Sequence, residues 1–401
     1  MKLSSLTLKA ACSGSAIALA ASFAYAASEG GSTPPKDREG DKAVIFQLEE
    51  ETTTRKLPPP DERRVYVTDP ADFMLNARIT AIDAKEAKIL SHIDVGYVPN
   101  PVLSSDGKFF GHVSTIWSRI SRGKRNDYLE LYDPVTNLPI ADIDLPPVRF
   151  LVNTYPWMTA LTPDDKSLLL YQFSPNPAVS LVDLEAKKLV KTMDVPDCYH
   201  IFPIANDTFF MHCREGHLLK AKFDKNGNLT HEKTKVLHPE NKHLINTPAY
   251  SPKAKRLVWP SYDGTIYQVD FSSGEADFLP TFEAFTDQEK ADKWAPGGWG
   301  LVAYHRESNR IFLLADQRAQ WTHKYASRFV FVYDAATGKR LNKFEIGHEI
   351  NSIGVSPDKE PQLYALSAHD RTLYILDAAS GKEVSKVDKI GVAPLVVSTV
   401  D

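Results

Sequence analysis

The chain has 401 residues, 43% hydrophobic and 24% charged, with 47 basic against 51 acidic side chains. That balance suits a large globular protein and excludes a disordered or collagen-like chain. A net charge of −4 offers no general attraction for nucleic acid or anionic lipid. No run beyond residue 26 approaches the ~18 apolar residues that span a bilayer, so no membrane segment is expected.

Residues 1–26 read as a signal peptide. Lys2 and Lys9 precede the small apolar run Ala10 to Ala21, and Ala24-Tyr25-Ala26 supplies a small-x-small cleavage site. Export is therefore expected, with Ala27 as the mature N-terminus. Cleavage removes Cys12 and two lysines, leaving 45 basic and 51 acidic residues and only two cysteines. Residues 27–60, rich in Pro, Gly and charge, read as a flexible N-terminal arm with one candidate ordered segment at AVIFQLEEE.

From residue 61 to 401 one phrase dominates. An apolar-x-Asp ending followed by a polar turn recurs at Asp83, Asp133, Asp183, Asp224, Asp270, Asp334 and Asp377. Those positions span 294 residues over six intervals, a mean period of 49. Units of short strands and turns near that period indicate an all-β, seven-bladed β-propeller with four-stranded antiparallel blades. Turns such as SSDGK (104–108), TPDDK (162–166) and SPDKE (356–360) follow the inner strands. The final strand APLVVSTV (393–400) has no hairpin partner after it. Its expected place is beside RRVYVTD (63–69), so that the N- and C-terminal strands close the ring and hide its edges.

Three local features interrupt the repeat. Cys198 precedes IFPI and Cys213 ends TFFMHC, two strands facing each other across one turn. In an oxidising compartment they are expected to form a disulfide; a metal site using Cys198, His200, His212 and Cys213 is the weaker alternative, and no metal is assigned. His200, His212 and His348 read as hydrogen-bonded residues of the fold. The long interval from Asp270 to Asp334 contains TFEAFTDQEKADKWAPGGWG (281–300). There Thr286 and Glu289 make a capping-box pattern, predicting a short helix that runs to Trp294 and stops at Pro296-Gly297. Finally, Arg119, Arg122, Lys124 and Arg125 crowd one hairpin, which reads as a solvated tip or else as a docking patch for an acidic partner, and Trp321 among charges in another suits a subunit interface. No G-x-S-x-G, H-E-x-x-H, P-loop or dinucleotide-binding glycine pattern is present.

Longer phrases carry a family likeness. RFLVNTYPWMTALTPD, YQFSPNPAVSLVDLE, DVPDCYHIFP, TFFMHCREG, PGGWGLVAYHR and FEIGHEINSI resemble the heavy subunit of bacterial methylamine dehydrogenase, from RRVYVTDP to the C-terminus. RISRGKR and DLPP are also similar to the aromatic amine dehydrogenase heavy subunit. The resemblance implies a periplasmic heterotetramer of two heavy and two light subunits. It implies that tryptophan tryptophylquinone sits on the light subunit with the catalytic base, leaving no catalytic residue in this chain. A primary amine is then converted to aldehyde and ammonia, and electrons pass to amicyanin. The family's Gly-aromatic-x-Pro-Asn-Pro phrase stands here as GYVPNP, which makes Tyr97 the candidate substrate-channel residue. The competing reading is an exported propeller that only binds another protein. A lactonase or a pyrroloquinoline quinone dehydrogenase is a further one, but the acidic metal ligands and recurrent Trp motifs those need are not evident.

Overall fold

A computed structural model describes residues 56–73 and 76–401. The expected signal peptide and most of the 27–60 arm, including AVIFQLEEE, lie outside the described residues. The end of the arm is tied down: Leu57 N donates to Val135 O at 2.8 Å, and Arg64 donates to Pro58 O at 2.8 Å.

Seven antiparallel sheets follow one another, each running from an inner to an outer strand. Blade two shows the pattern, with strands Tyr97–Leu103, Phe110–Trp117, Arg125–Tyr132 and Pro139–Leu145. Blade one is closed by the two ends of the described chain. Strand Val396–Thr399 pairs antiparallel with Arg64–Asp69, in the register Val65↔Thr399 and Val67↔Val397. The closing strand therefore lies where the sequence places it.

Every aspartate of the repeat ends or follows the third strand of its blade. The reason is local. Asp334 Oδ1 accepts the backbone N–H of Ala336 (3.1 Å) and Thr337 (2.8 Å). Asp83, Asp133, Asp183, Asp224, Asp270 and Asp377 accept one or two turn N–H groups in the same way. These side chains satisfy donors that no strand partner reaches. In five blades the register to the outer strand also slips at the residue preceding that aspartate, as between Leu181 and Val182. Such bulges add right-handed twist, which radially arranged blades require.

The core lies between blades. Each neighbouring pair shares a cluster of buried residues, from Tyr66 and Phe110 between blades one and two to Tyr364 and Val67 between blades seven and one. Phe210 of blade four stacks on Phe271 of blade five with ring centroids 4.7 Å apart, and both rings are fully buried. Large rings suit this wedge-shaped space, and truncating one costs about 3–5 kcal/mol.

The insertion at 281–300 forms the expected helix, but a shorter one. It spans Asp287–Ala291 with the full capping box of Thr286 and Glu289. It ends before Trp294 because Lys293 adopts a left-handed backbone (φ 65°) and Trp294–Pro296 is drawn into pairing with Ala315–Gln317. No described helix is long and apolar enough to cross a membrane.

Candidate functional site

Strand alternation sorts the loops onto two faces. The inner strand of blade two begins at Tyr97, so its second strand ends beside it at Trp117 and its third begins there at Arg125. One face thus carries every connection between blades and every hairpin between second and third strands. The repeat aspartates lie on the other.

Tyr97 is half-buried on the first face, at the start of its inner strand, edge-on to Trp117 with centroids 5.5 Å apart. A buried arginine fixes its backbone. Arg149 Nη2 donates to Tyr97 O (2.6 Å) and Val98 O (2.8 Å), Nη1 to Asn100 Oδ1 (2.9 Å), and Nε to Thr115 Oγ1 (2.7 Å). Val98 is held at φ 47°, a region that β-branched residues avoid. Asp127, fully buried, balances the charge. It accepts from Arg125 Nε (2.8 Å) and Nη2 (2.7 Å), from Thr115 Oγ1 (2.7 Å) and from Arg149 N (3.1 Å). Burial pulls the Arg149 guanidinium down to about 9, against the opposing pull of Asp127; it stays charged at neutral pH. Five hydrogen-bonded residues thus convert three separate strands into one rigid support beneath Tyr97.

The same face is apolar well beyond that corner. Among the described residues, twelve large hydrophobics are exposed, and eight belong to it: Ile116, Ile120, Val152, Phe173, Val236, Trp321, Tyr325 and Val392. Two stand at hairpin tips in left-handed backbone, Ile120 (φ 65°, 75% exposed) and Trp321 (φ 66°, 61% exposed). That conformation costs roughly 1–2 kcal/mol for an L residue, so these tips spend stability to present apolar surface to solvent.

Cys198 and Cys213 also lie here, directly opposite in register and joined by a disulfide. Both sulfurs of the alternative metal set are thereby used. His200 Nε2 meets Asn246 O at 2.9 Å, and burial pushes it down to about 3. His212 and His238 face each other through their Nε2 atoms at 2.8 Å. His238 Nδ1 lies 3.0 Å from Pro239 O and donates to it, so its Nε2 accepts from His212. Burial first, then the neighbouring imidazoles, holds His212 well below its ordinary value. His348 stacks on Tyr374 at 4.0 Å and lies 3.3 Å from Asp370. All three predicted histidines are bonded within the fold.

The ring axis holds a cavity of about 310 Å³. On the Tyr97 face, Trp299 of blade six stacks on Tyr155 before blade three at 4.9 Å and donates its indole N–H to Thr154 O (3.1 Å). On the other face the Asp401 carboxylate reaches Ser251 Oγ of blade five at 2.8 Å. Each contact joins blades that are not neighbours, so each crosses the axis. Tyr97 does not line this cavity.

Sequence reasoning singled out Tyr97 and paired the two cysteines, the pairing as the structure has it, but did not single out Arg149 and Asp127. It also grouped Arg125 with Arg119, Arg122 and Lys124. The last three are exposed on the hairpin, whereas Arg125 turns inward to Asp127.

Comparison with known proteins agrees with this architecture. The chain matches the family of methylamine dehydrogenase heavy chains over residues 61–401. It is 60% identical to the methylamine dehydrogenase heavy chain of Methylorubrum extorquens over 340 residues, covering 84% of this chain and 83% of that one. It is 54% identical to that of Paracoccus versutus, covering 85% and 80%. Among solved structures, a β-propeller domain of Cps50 (Swd1) aligns with a TM-score of 0.54 at 12% identity, over 81% of this chain and all of that one. A putative 6-phosphogluconolactonase from Bacteroides fragilis aligns at 0.53 and 16% identity, over 87% and 99%. These two share the fold alone. The chain belongs to the methylamine dehydrogenase heavy chain family.

Proposed function

We propose that this chain is the non-catalytic subunit of a periplasmic amine dehydrogenase. It docks a light subunit bearing tryptophan tryptophylquinone on the Tyr97 face, two heavy with two light chains. The observation that carries this reading is the asymmetry of the faces, with eight exposed large hydrophobics on one of them. A monomer gains nothing from strained apolar hairpin tips, whereas a subunit interface does. The tryptophans of this chain fit a partner-borne cofactor. Trp157, Trp259 and Trp299 donate their indole N–H groups to backbone carbonyls. Trp117 packs on Tyr97, Trp294 lies 3.6 Å beneath the Lys343 ammonium, and Trp321 is exposed. When bound, the quinone supplies the electrophile for a primary amine.

This chain's contribution is shelter and selection. Covering the site excludes water, and the stacked Tyr155–Trp299 pair reaches across the axis beside the Tyr97 corner, so that Tyr97 flanks the approach. Tyr97, held through its own carbonyl by Arg149, limits the size of amine that passes. Methylamine as substrate and amicyanin as acceptor complete the proposal.

The test is purification of the native protein with its visible spectrum. A co-purifying small subunit and a quinone band bleached by methylamine support the reading. A colourless lone propeller replaces it with a binding scaffold. In the assembled enzyme, Tyr97→Ala is expected to shift the ratio of kcat/KM between bulky and small amines about tenfold, with the quinone band unchanged. An unaltered substrate profile refutes the gate.

A further inference from the structure

Between blades five and six the Tyr97 face opens into a cleft of about 460 Å³. Four segments line it: 241–243 from the connection into blade five, Tyr262-Asp263 from a hairpin, Lys290 and 293–296 from the helical insertion, and 318–323 from the Trp321 hairpin. Its charge is one-sided. Lys242, Lys290, Lys293 and Arg318 line it, against the single carboxylate of Asp263. Lys242 pairs with Asp263, and Lys290 with Glu283 outside the lining. Arg318 donates to backbone carbonyls of Thr322, Tyr325 and Ala326 and to Ser327, none of which carries charge. Lys293 is exposed and, among the described residues, has no carboxylate within ion-pair distance. In a chain of net charge −4 the concavity thus holds the unpaired Lys293 ammonium and an Arg318 that feels only Asp316, a carboxylate already paired with Arg328.

The cleft also has an aromatic wall and a strained rim. Trp321 meets Tyr262 at 5.6 Å and His243 at 5.7 Å, and Tyr262 stacks on His323 at 4.1 Å. Burial, then the neighbouring Lys324 and Arg318 charges, holds His323 below its ordinary value. Lys293 occupies the left-handed position just after the helix, where glycine or asparagine is the low-strain choice. Trp321, at φ 66°, stands on the same rim. An ammonium and an indole, each held in a costly backbone conformation on the rim of one cleft, make a receptor for an acidic side chain on an apolar backing.

We infer that this cleft receives an acidic segment of the light subunit, Lys293 meeting its carboxylate in the positive field of Arg318 and Trp321 covering its apolar part. The inference rests on the docking face proposed above and locates its charge-selective point. A cationic pocket accelerates encounter with an acidic partner and fixes its orientation, while the indole supplies holding energy.

The experiment co-expresses heavy and light chains and measures dissociation of the assembled enzyme at low and high ionic strength. Lys293→Asn keeps the left-handed backbone favourable, so the heavy chain should unfold no more easily than wild type. It is expected to raise the heavy–light Kd about tenfold at low salt and much less at high salt. Trp321→Ala should raise it about thirtyfold at either. Wild-type dissociation constants for both variants overturn the inference while leaving the docking face intact. A loss with Lys293→Asn that is equal at both ionic strengths overturns its electrostatic basis. Failure of the wild-type chain to bind the light chain at all removes the docking face and the inference together.

Discussion

Arg149→Met removes the charge that organises the Tyr97 corner while keeping most of the side chain's apolar reach. The carbonyls of Tyr97 and Val98, Asn100 Oδ1 and Thr115 Oγ1 each lose a donor. A buried acceptor left without a partner costs about 1–3 kcal/mol, and breaking a buried ion pair from one side about 3–5 kcal/mol. Three effects moderate the sum. Asp127 keeps Arg125 and Thr115, water reaches half-buried Tyr97, and the buried guanidinium no longer pays its own desolvation. A net loss of about 4 kcal/mol is expected in chemical denaturation of the heavy chain. Asp127→Asn alone should cost a comparable amount, because Arg149 and Arg125 then face each other unbalanced. The double variant should fall short of the summed losses by about 2 kcal/mol, since neither charge is then stranded. In the assembled enzyme Arg149→Met should also move the amine profile in the direction of Tyr97→Ala. Strict additivity, or a single-variant loss below about 1 kcal/mol, would show that the network does not hold the corner.

Two further outcomes follow from the same face. Replacing Cys198 and Cys213 together by serine opens a link across a sequence separation of 15 and should cost about 3 kcal/mol; an unchanged melting temperature argues against that role. His200, whose burial holds it at about 3 in the fold against 6.5 unfolded, contributes stability that is fully present above pH 6.5. As pH falls below that, the unfolded chain takes the proton first, and about 2 kcal/mol should be lost by pH ~5 from this residue alone. His200→Gln should flatten that part of the stability curve, and an unaltered curve would place the acid sensitivity elsewhere.

What could be read in advance was what local chemistry specifies. Each repeat aspartate bonds turn amides two to four residues away, so its mark survives in a single linear phrase. The disulfide was readable because one short turn aligns Cys198 with Cys213. The helix start was readable from its capping box, but its end was not. Lys293 departs from helical backbone for reasons that lie in a later strand, where Ala315–Gln317 recruits Trp294–Pro296. Arg149 is the extreme case, since its partners are supplied by residues 97 to 127 on three separate strands. One signal was nevertheless present. Arg125 and Asp127 stand two apart on a strand, hence on the same side, which separates Arg125 from the exposed Arg119, Arg122 and Lys124.

The strained tips give the reason function is harder to read than fold. A left-handed Ile120 or Trp321 is invisible to residue preference, which would place glycine or asparagine there. Where preference and structure disagree, something beyond local backbone chemistry has set the residue. The disagreements on the Tyr97 face include Val98 beneath the candidate gate, Ile120 and Trp321 at exposed tips, and Lys293 at the cationic cleft. Replacing such a residue by the locally preferred one should leave the ring intact and weaken only what the face binds, and that separates an interface from a merely irregular loop.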